Sequence, residues 1–156
     1  MSLIKKSIVT VGALVMIAYA AHAVLSHLRD KAAHLEEDGE YCEAMEVYFE
    51  VAPFDGIGVA SHSVNNAIAS DYARGVCLQF DLNRAVKWWK RNSLSDPEIG
   101  AALFYTWQFE GNKKSSATRD QLLDLYRLSK KLGFKPTEEE LNRHCPEYAK
   151  DIFQTD

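Results

Sequence analysis

The residues equipped for chemistry are few and scattered. The chain holds five histidines in 156 residues, His22, His27, His34, His62 and His144, and none falls in an HExxH or similar spacing that a metal site requires. Glu140 and His144 share a helix face at i, i+4, a pairing that arises by chance on many helices. His62 adjoins Ser63 and His144 adjoins Cys145, but a nucleophile and its base must be neighbours in space, not merely in sequence. There is no nucleophile elbow, no glycine-rich phosphate cradle and no carboxylate pair set apart from the surface acids. The expectation is a protein with no catalytic residue, no metal and no cofactor.

The cysteines point to compartment more than to reaction. Cys42, Cys77 and Cys145 permit one disulfide with one thiol left over. Cys42 and Cys77 sit in hairpin segments, where they read as small core residues, and a Cys77–Cys145 bridge is an open pairing. Ahead of them the chain starts MSLIKK and runs on through SIVTVGALVMIAYAA to Ala21-His22-Ala23, which places small residues where a signal peptidase reads them. Residues 1–23 are therefore expected to be a signal peptide, with a mature domain over 24–156. The rival is an uncleaved anchor, because Ile8 to Leu25 is just long enough to cross a bilayer with its lysines on the cytoplasmic side. Both readings put the globular part outside the cytoplasm. A bacterial periplasm is the expected location, with an inner-membrane anchor facing the periplasm as the alternative.

Charge narrows the partners. With 18 Lys and Arg against 22 Asp and Glu the chain is acidic, and removing residues 1–23 takes away Lys5 and Lys6 but no acid. A phosphate-binding surface needs clustered cations to release counterions, so nucleic acid is excluded as the expected partner. The charges are partly segregated. Glu43 and Glu46 belong to an acidic run from Glu36 to Glu50, whereas Lys113, Lys114, Arg119, Arg127, Lys130, Lys131 and Lys135 gather further on.

The elements that must carry these side chains are helices in hairpins. YARGVCLQFDLNRAVKWW, residues 72–89, sets Tyr72 and Gly75 at the end of one helix, Asp81 at the N-cap of the next, and Ala85, Trp88 and Trp89 on and around one face of it. At these positions the chain resembles the Sel-one-like repeats, a subclass of tetratricopeptide-like helical repeats, whose pattern is roughly Tyr-x2-Gly-x5-Asp-x3-Ala-x2-Trp-Tyr. Cys77 stands where that family has a second glycine. Weaker units flank this one: Gly39, Tyr41, Ala44 and Tyr48 upstream, and Gly111, Tyr126 and Gly133 downstream, with Thr118 in the Asp position.

The resemblance implies an all-α fold, a right-handed solenoid of antiparallel hairpins with about two and a half to three repeats and C-terminal capping helices opened by Pro136-Thr137 and by Pro146. Some exported relatives staple each hairpin with its own cysteine pair, a regular pairing absent here. Some were once described as enzymes acting on peptidoglycan-related substrates, and no motif in this chain supports that. In such arrays the first helix of each hairpin lines the concave surface, which makes Asn65, Asn66, Tyr105, Trp107 and Phe109 the candidate partner-binding residues, with Glu43 and Glu46 steering the encounter. The expected function is a non-catalytic protein-binding module of the bacterial envelope, with an immunity protein against a periplasm-directed secretion-system toxin as its favoured form. A membrane-anchored scaffold or adaptor in envelope biogenesis is the alternative, and an envelope hydrolase the least favoured.

Overall fold

The computed structural model describes residues 2–54, 62–111, 117–137 and 139–140. Among these, every regular element is helical: α1 (Ser2–Glu37), α2 (Tyr41–Val51) followed by a 3-10 turn (Ala52–Phe54), α3 (His62–Arg74), α4 (Leu82–Arg91), α5 (Asp96–Gly111) and α6 (Arg119–Lys131). The all-α expectation holds. The chain divides into two compact units, Met1–Val59 and Ala60–Asp156.

In the first unit α2 folds back along α1. The stretch expected as a signal peptide, residues 1–23, and the start of the expected mature domain share one helix of 36 residues, about 54 Å long at 1.5 Å per residue. The reason is local, since neither glycine nor proline interrupts residues 13–38. Gly39 ends the helix at φ +84°, where Glu40 N–H donates to the Leu35 carbonyl at 2.8 Å and Gly39 N–H to that of Glu36 at 3.1 Å. That pair of bonds satisfies the last carbonyls through a left-handed residue that only glycine adopts cheaply. Ala32, Ala44, Met45, Val47, Tyr48 and Val51 are buried, whereas Tyr41 is exposed. Cys42 is exposed on α2 and Cys77, in the second unit, is half-buried; both are disulfide-bonded, which corrects the reading of them as core thiols.

Among the described residues the second unit contains two hairpins, α3–α4 and α5–α6. Asp71 is buried at the end of α3, and its carboxylate accepts from Leu78 N–H at 2.7 Å and Cys77 N–H at 3.2 Å, tying down the loop that leads to α4. Gly75, at φ +69°, donates to the Asp71 carbonyl, and Asp81 N–H donates to that of Tyr72. The Asp81 carboxylate then accepts from Arg84 N–H at 3.0 Å and starts α4. Trp89 and Ala85 are buried, while Trp88 is half-buried beneath the Arg91 guanidinium, 3.8 Å from its ring centroid.

The α5–α6 hairpin carries the heavier core. Phe104 and Trp107 are fully buried, with Trp107 meeting Tyr126 at 5.0 Å between centroids and Phe104 meeting Phe134 at 5.1 Å. Thr118 and Gln121 cap α6 reciprocally, and Gly133 ends it at φ +87° with the same bond pattern as Gly39. Gly100 is the point of closest approach: a Cβ there would lie 2.9 Å from the Ser129 carbonyl oxygen and 2.8 Å from Phe134 Cβ. Helix α5 also packs on α3 and α4, so the two hairpins share one core. The sequence expectations for the loop at 112–116 and for His144, Cys145 and the helix after Pro146 lie outside the described residues.

Two measurements follow from this packing. Trp89→Ala is expected to lower unfolding free energy by about 3–5 kcal/mol, and Gly100→Ala to destabilise as well, because the obstructing oxygen is backbone and cannot swing aside; chemical denaturation reads both. Tyr48 gives the second. Burial first, then the charge and hydrogen bond of Glu36, push its hydroxyl up to about 12. Its contribution to stability is complete below the ordinary tyrosine value of 10 and falls away as pH rises from there through the folded value. Tyrosinate absorbance on alkaline titration should show a group titrating near 12 that Tyr48→Phe removes.

Candidate protein-binding face

The first helices of the two hairpins in the second unit lie side by side, and their outward sides meet at one polar anchor. Arg74, the last residue of α3, donates from Nε to Glu110 Oε1 at 2.7 Å, and its guanidinium also stands 5.6 Å from the Phe109 ring centroid. The Glu110 side chain is nearly buried, while that of Arg74 keeps a third of its surface in solvent. Ionising a carboxylate in such a place is tolerable because a guanidinium answers it directly. Asp71 steadies the arrangement by accepting from Cys77 N–H and Leu78 N–H in the loop that follows Arg74.

At the other end of α3 the asparagines form a relay. Asn65 Nδ2 donates to Asn92 Oδ1 and Asn92 Nδ2 donates to Asn66 Oδ1, both at 2.9 Å. Asn65 is buried, and its role is to tie α3 to the end of α4; Asn66 remains exposed with its amide oriented. Of the two asparagines proposed to meet a partner, only Asn66 is placed to do so.

Helix α5 separates the aromatic trio. Tyr105 and Phe109, one turn apart, are 52% and 50% exposed, whereas Trp107 is 0% exposed. Residues three and four apart share a helix face and those two apart do not, so Trp107 turns inward onto Tyr126 and is corrected from partner anchor to core. Tyr105 is also engaged within the chain. Its hydroxyl donates to Glu140 Oε1 at 3.0 Å and its ring leans on Phe104 and Phe134. The Glu140 hydrogen bond holds the Tyr105 hydroxyl above its ordinary range. Glu140 in turn lies below the usual carboxylate range, chiefly because Thr137 N–H and then Thr137 Oγ–H donate to it, with Tyr105 adding a third bond. Glu140 N–H returns a bond to Thr137 Oγ at 3.2 Å, completing a capping box over the segment that crosses α5.

Glu43 and Glu46 are exposed on α2 in the first unit, three residues apart on one face with Glu50 beyond them. Among the described residues no group of three or more His, Cys, Asp and Glu side chains converges to hold a metal ion. The face offers instead two half-exposed rings, a shielded guanidinium and a fixed amide. Large rigid side chains backed by a packed core supply contact area at little entropic cost, which suits association with another protein.

Arg74, Glu110, Asn92, Asp71 and Gly100 were not singled out from the sequence. A signal for the first pair was present. Arg74 and Glu110 are 36 residues apart, and each directly precedes a closing glycine, Gly75 and Gly111, at that same interval. If that interval were a repeat period, the two residues would fall next to each other, so opposite charges at this spacing would predict a bond. No protein-family model, curated protein or solved structure matches this chain.

Glu110→Ala is expected to destabilise the protein by about 1–3 kcal/mol, less than a fully buried pair would lose, because Arg74 can turn toward water. Restoring stability in Arg74→Leu/Glu110→Leu, measured by a double-mutant cycle in denaturant, would identify the lost energy as that of the unpaired charge.

Proposed function

We propose that this chain is a non-catalytic protein-binding module working outside the cytoplasm, and that it presents the outward sides of α3 and α5 to another protein. The observation that carries this reading is the pairing of half-exposed Tyr105 and Phe109 with pre-oriented Arg74 and Asn66 on helices whose inner sides are fully packed. Such side chains lose little freedom on binding. Disulfide-bonded Cys42 and Cys77 support an oxidising compartment, because cytosolic thiols are kept reduced. The apolar start of α1 supports export in the same direction.

The 36-residue interval of the Arg74–Glu110 pair supports the Sel-one-like reading, in which α3–α4 and α5–α6 are successive units of a right-handed hairpin array. The acidic side of α2, with Glu43 and Glu46, suits a partner that is cationic where it docks. An immunity protein covering a periplasm-directed toxin is the form of binding module we favour. A membrane-anchored adaptor is the second reading, and it is favoured by the unbroken passage of α1 through the expected cleavage site.

The test is capture from an envelope extract, identification of the partner, and binding kinetics with both proteins purified. Phe109→Ser should accelerate dissociation by about tenfold or more while the melting temperature stays close to wild type. Reversal of Glu43 and Glu46 to lysine should lower the association rate by roughly threefold to tenfold and flatten its salt dependence. Unchanged dissociation in folded Phe109→Ser would exclude this face, and unchanged association in the charge-reversed variant would exclude steering by α2.

A further inference from the structure

Between α1 and the end of α2 the first unit holds an apolar groove of about 500 Å³, with Ile17, Ala21, Val24 and Leu28 on one wall and Glu50 and Phe54 on the other. We infer that this groove faces lipid: residues 1–23 are retained, α1 spans the bilayer, and the α2 end enters the outer leaflet with Phe54 among the acyl chains. The inference stands apart from the protein-binding face of the second unit, and either can fail without the other.

Four observations converge on it. First, α1 is long and apolar enough to cross a membrane, and none of its apolar window is buried. Second, the helix runs without a break through Ala21-His22-Ala23. Third, the dimensions agree. From Ile17 to Leu28 the helix rises about 16 Å, close to half of a hydrocarbon core of about 30 Å, so the groove fits within one leaflet. Fourth, polarity changes along α1 in the sense a bilayer demands. The groove is apolar at its Ile17 and Phe54 end, its one charged lining residue is Glu50, a turn nearer the start of α2, and beyond Leu28 come Arg29, Asp30 and Lys31. Phe54 itself is 49% exposed, and Ile17, which lines the same groove, is 65% exposed. Water would meet all of that surface, whereas acyl chains would cover it. Lys5 and Lys6 then lie on the cytoplasmic side, as the positive-inside rule requires.

The experiment uses the full chain, expressed with its own N-terminus, purified from membranes and reconstituted into phosphatidylcholine vesicles with or without bromine on the acyl chains. Intact mass should retain residues 1–23, and the protein should stay with the membrane through an alkaline carbonate wash. Phe54→Trp adds a fluorophore at the groove, and Tyr41→Trp adds one at the exposed opposite end of α2. Brominated chains should quench roughly half or more of the emission added at position 54 and little of that added at 41. A mass beginning at Val24 overturns the inference. So does a retained, folded chain whose tryptophan at 54 is unquenched, and quenching lost in a concentration-dependent dimer would assign the groove to a second copy instead.

Discussion

A carboxylate as nearly buried as Glu110 is an expense unless something answers it, and Arg74 does so at 2.7 Å from the neighbouring hairpin. Much of the second unit is arranged around that meeting. Asp71 holds the loop after α3, Gly75 turns the chain away behind Arg74, and the inward packing of Phe104 and Trp107 sets the rotation of α5 that brings Glu110 to the junction. Because the pair joins two hairpins and not two residues of one helix, it registers them along their length. The same rotation turns Phe109 outward beside the guanidinium.

The polar groups near this face are committed within the chain in graded fashion. Asn65 is used to fasten α3 to the end of α4, and Asn66 is oriented by the same relay while staying exposed. Tyr105 is shared between the surface and the capping segment through Glu140, whose carboxylate accepts from three donors. Such sharing keeps the exposed side chains in fixed positions, since a ring with a bonded hydroxyl and two aromatic neighbours has few other rotamers open to it. In the first unit the constraint is different. There the unbroken helix α1 packs on α2 and leaves Leu14, Val15, Met16, Ile17 and Tyr19 exposed.

What the sequence determined by itself is what neighbours along the chain decide. The caps at Asp81 and Thr118, the left-handed turns at Gly39, Gly75 and Gly133, the hairpin spacing and the all-α class depend on interactions within a few residues, and each has a readable chemical signature. The start of a capped segment at Thr137 is legible for the same reason. Only the tertiary structure decided which face of each helix turns inward. The low contrast between the faces of α5, apolar nearly all round, left Tyr105, Trp107 and Phe109 equivalent in sequence, and packing against α6 buried one and exposed two. The partners of Arg74, Asn65 and Gly100 lie 27 to 36 residues away, beyond the reach of local pattern, because such contacts exist only after the helices have met.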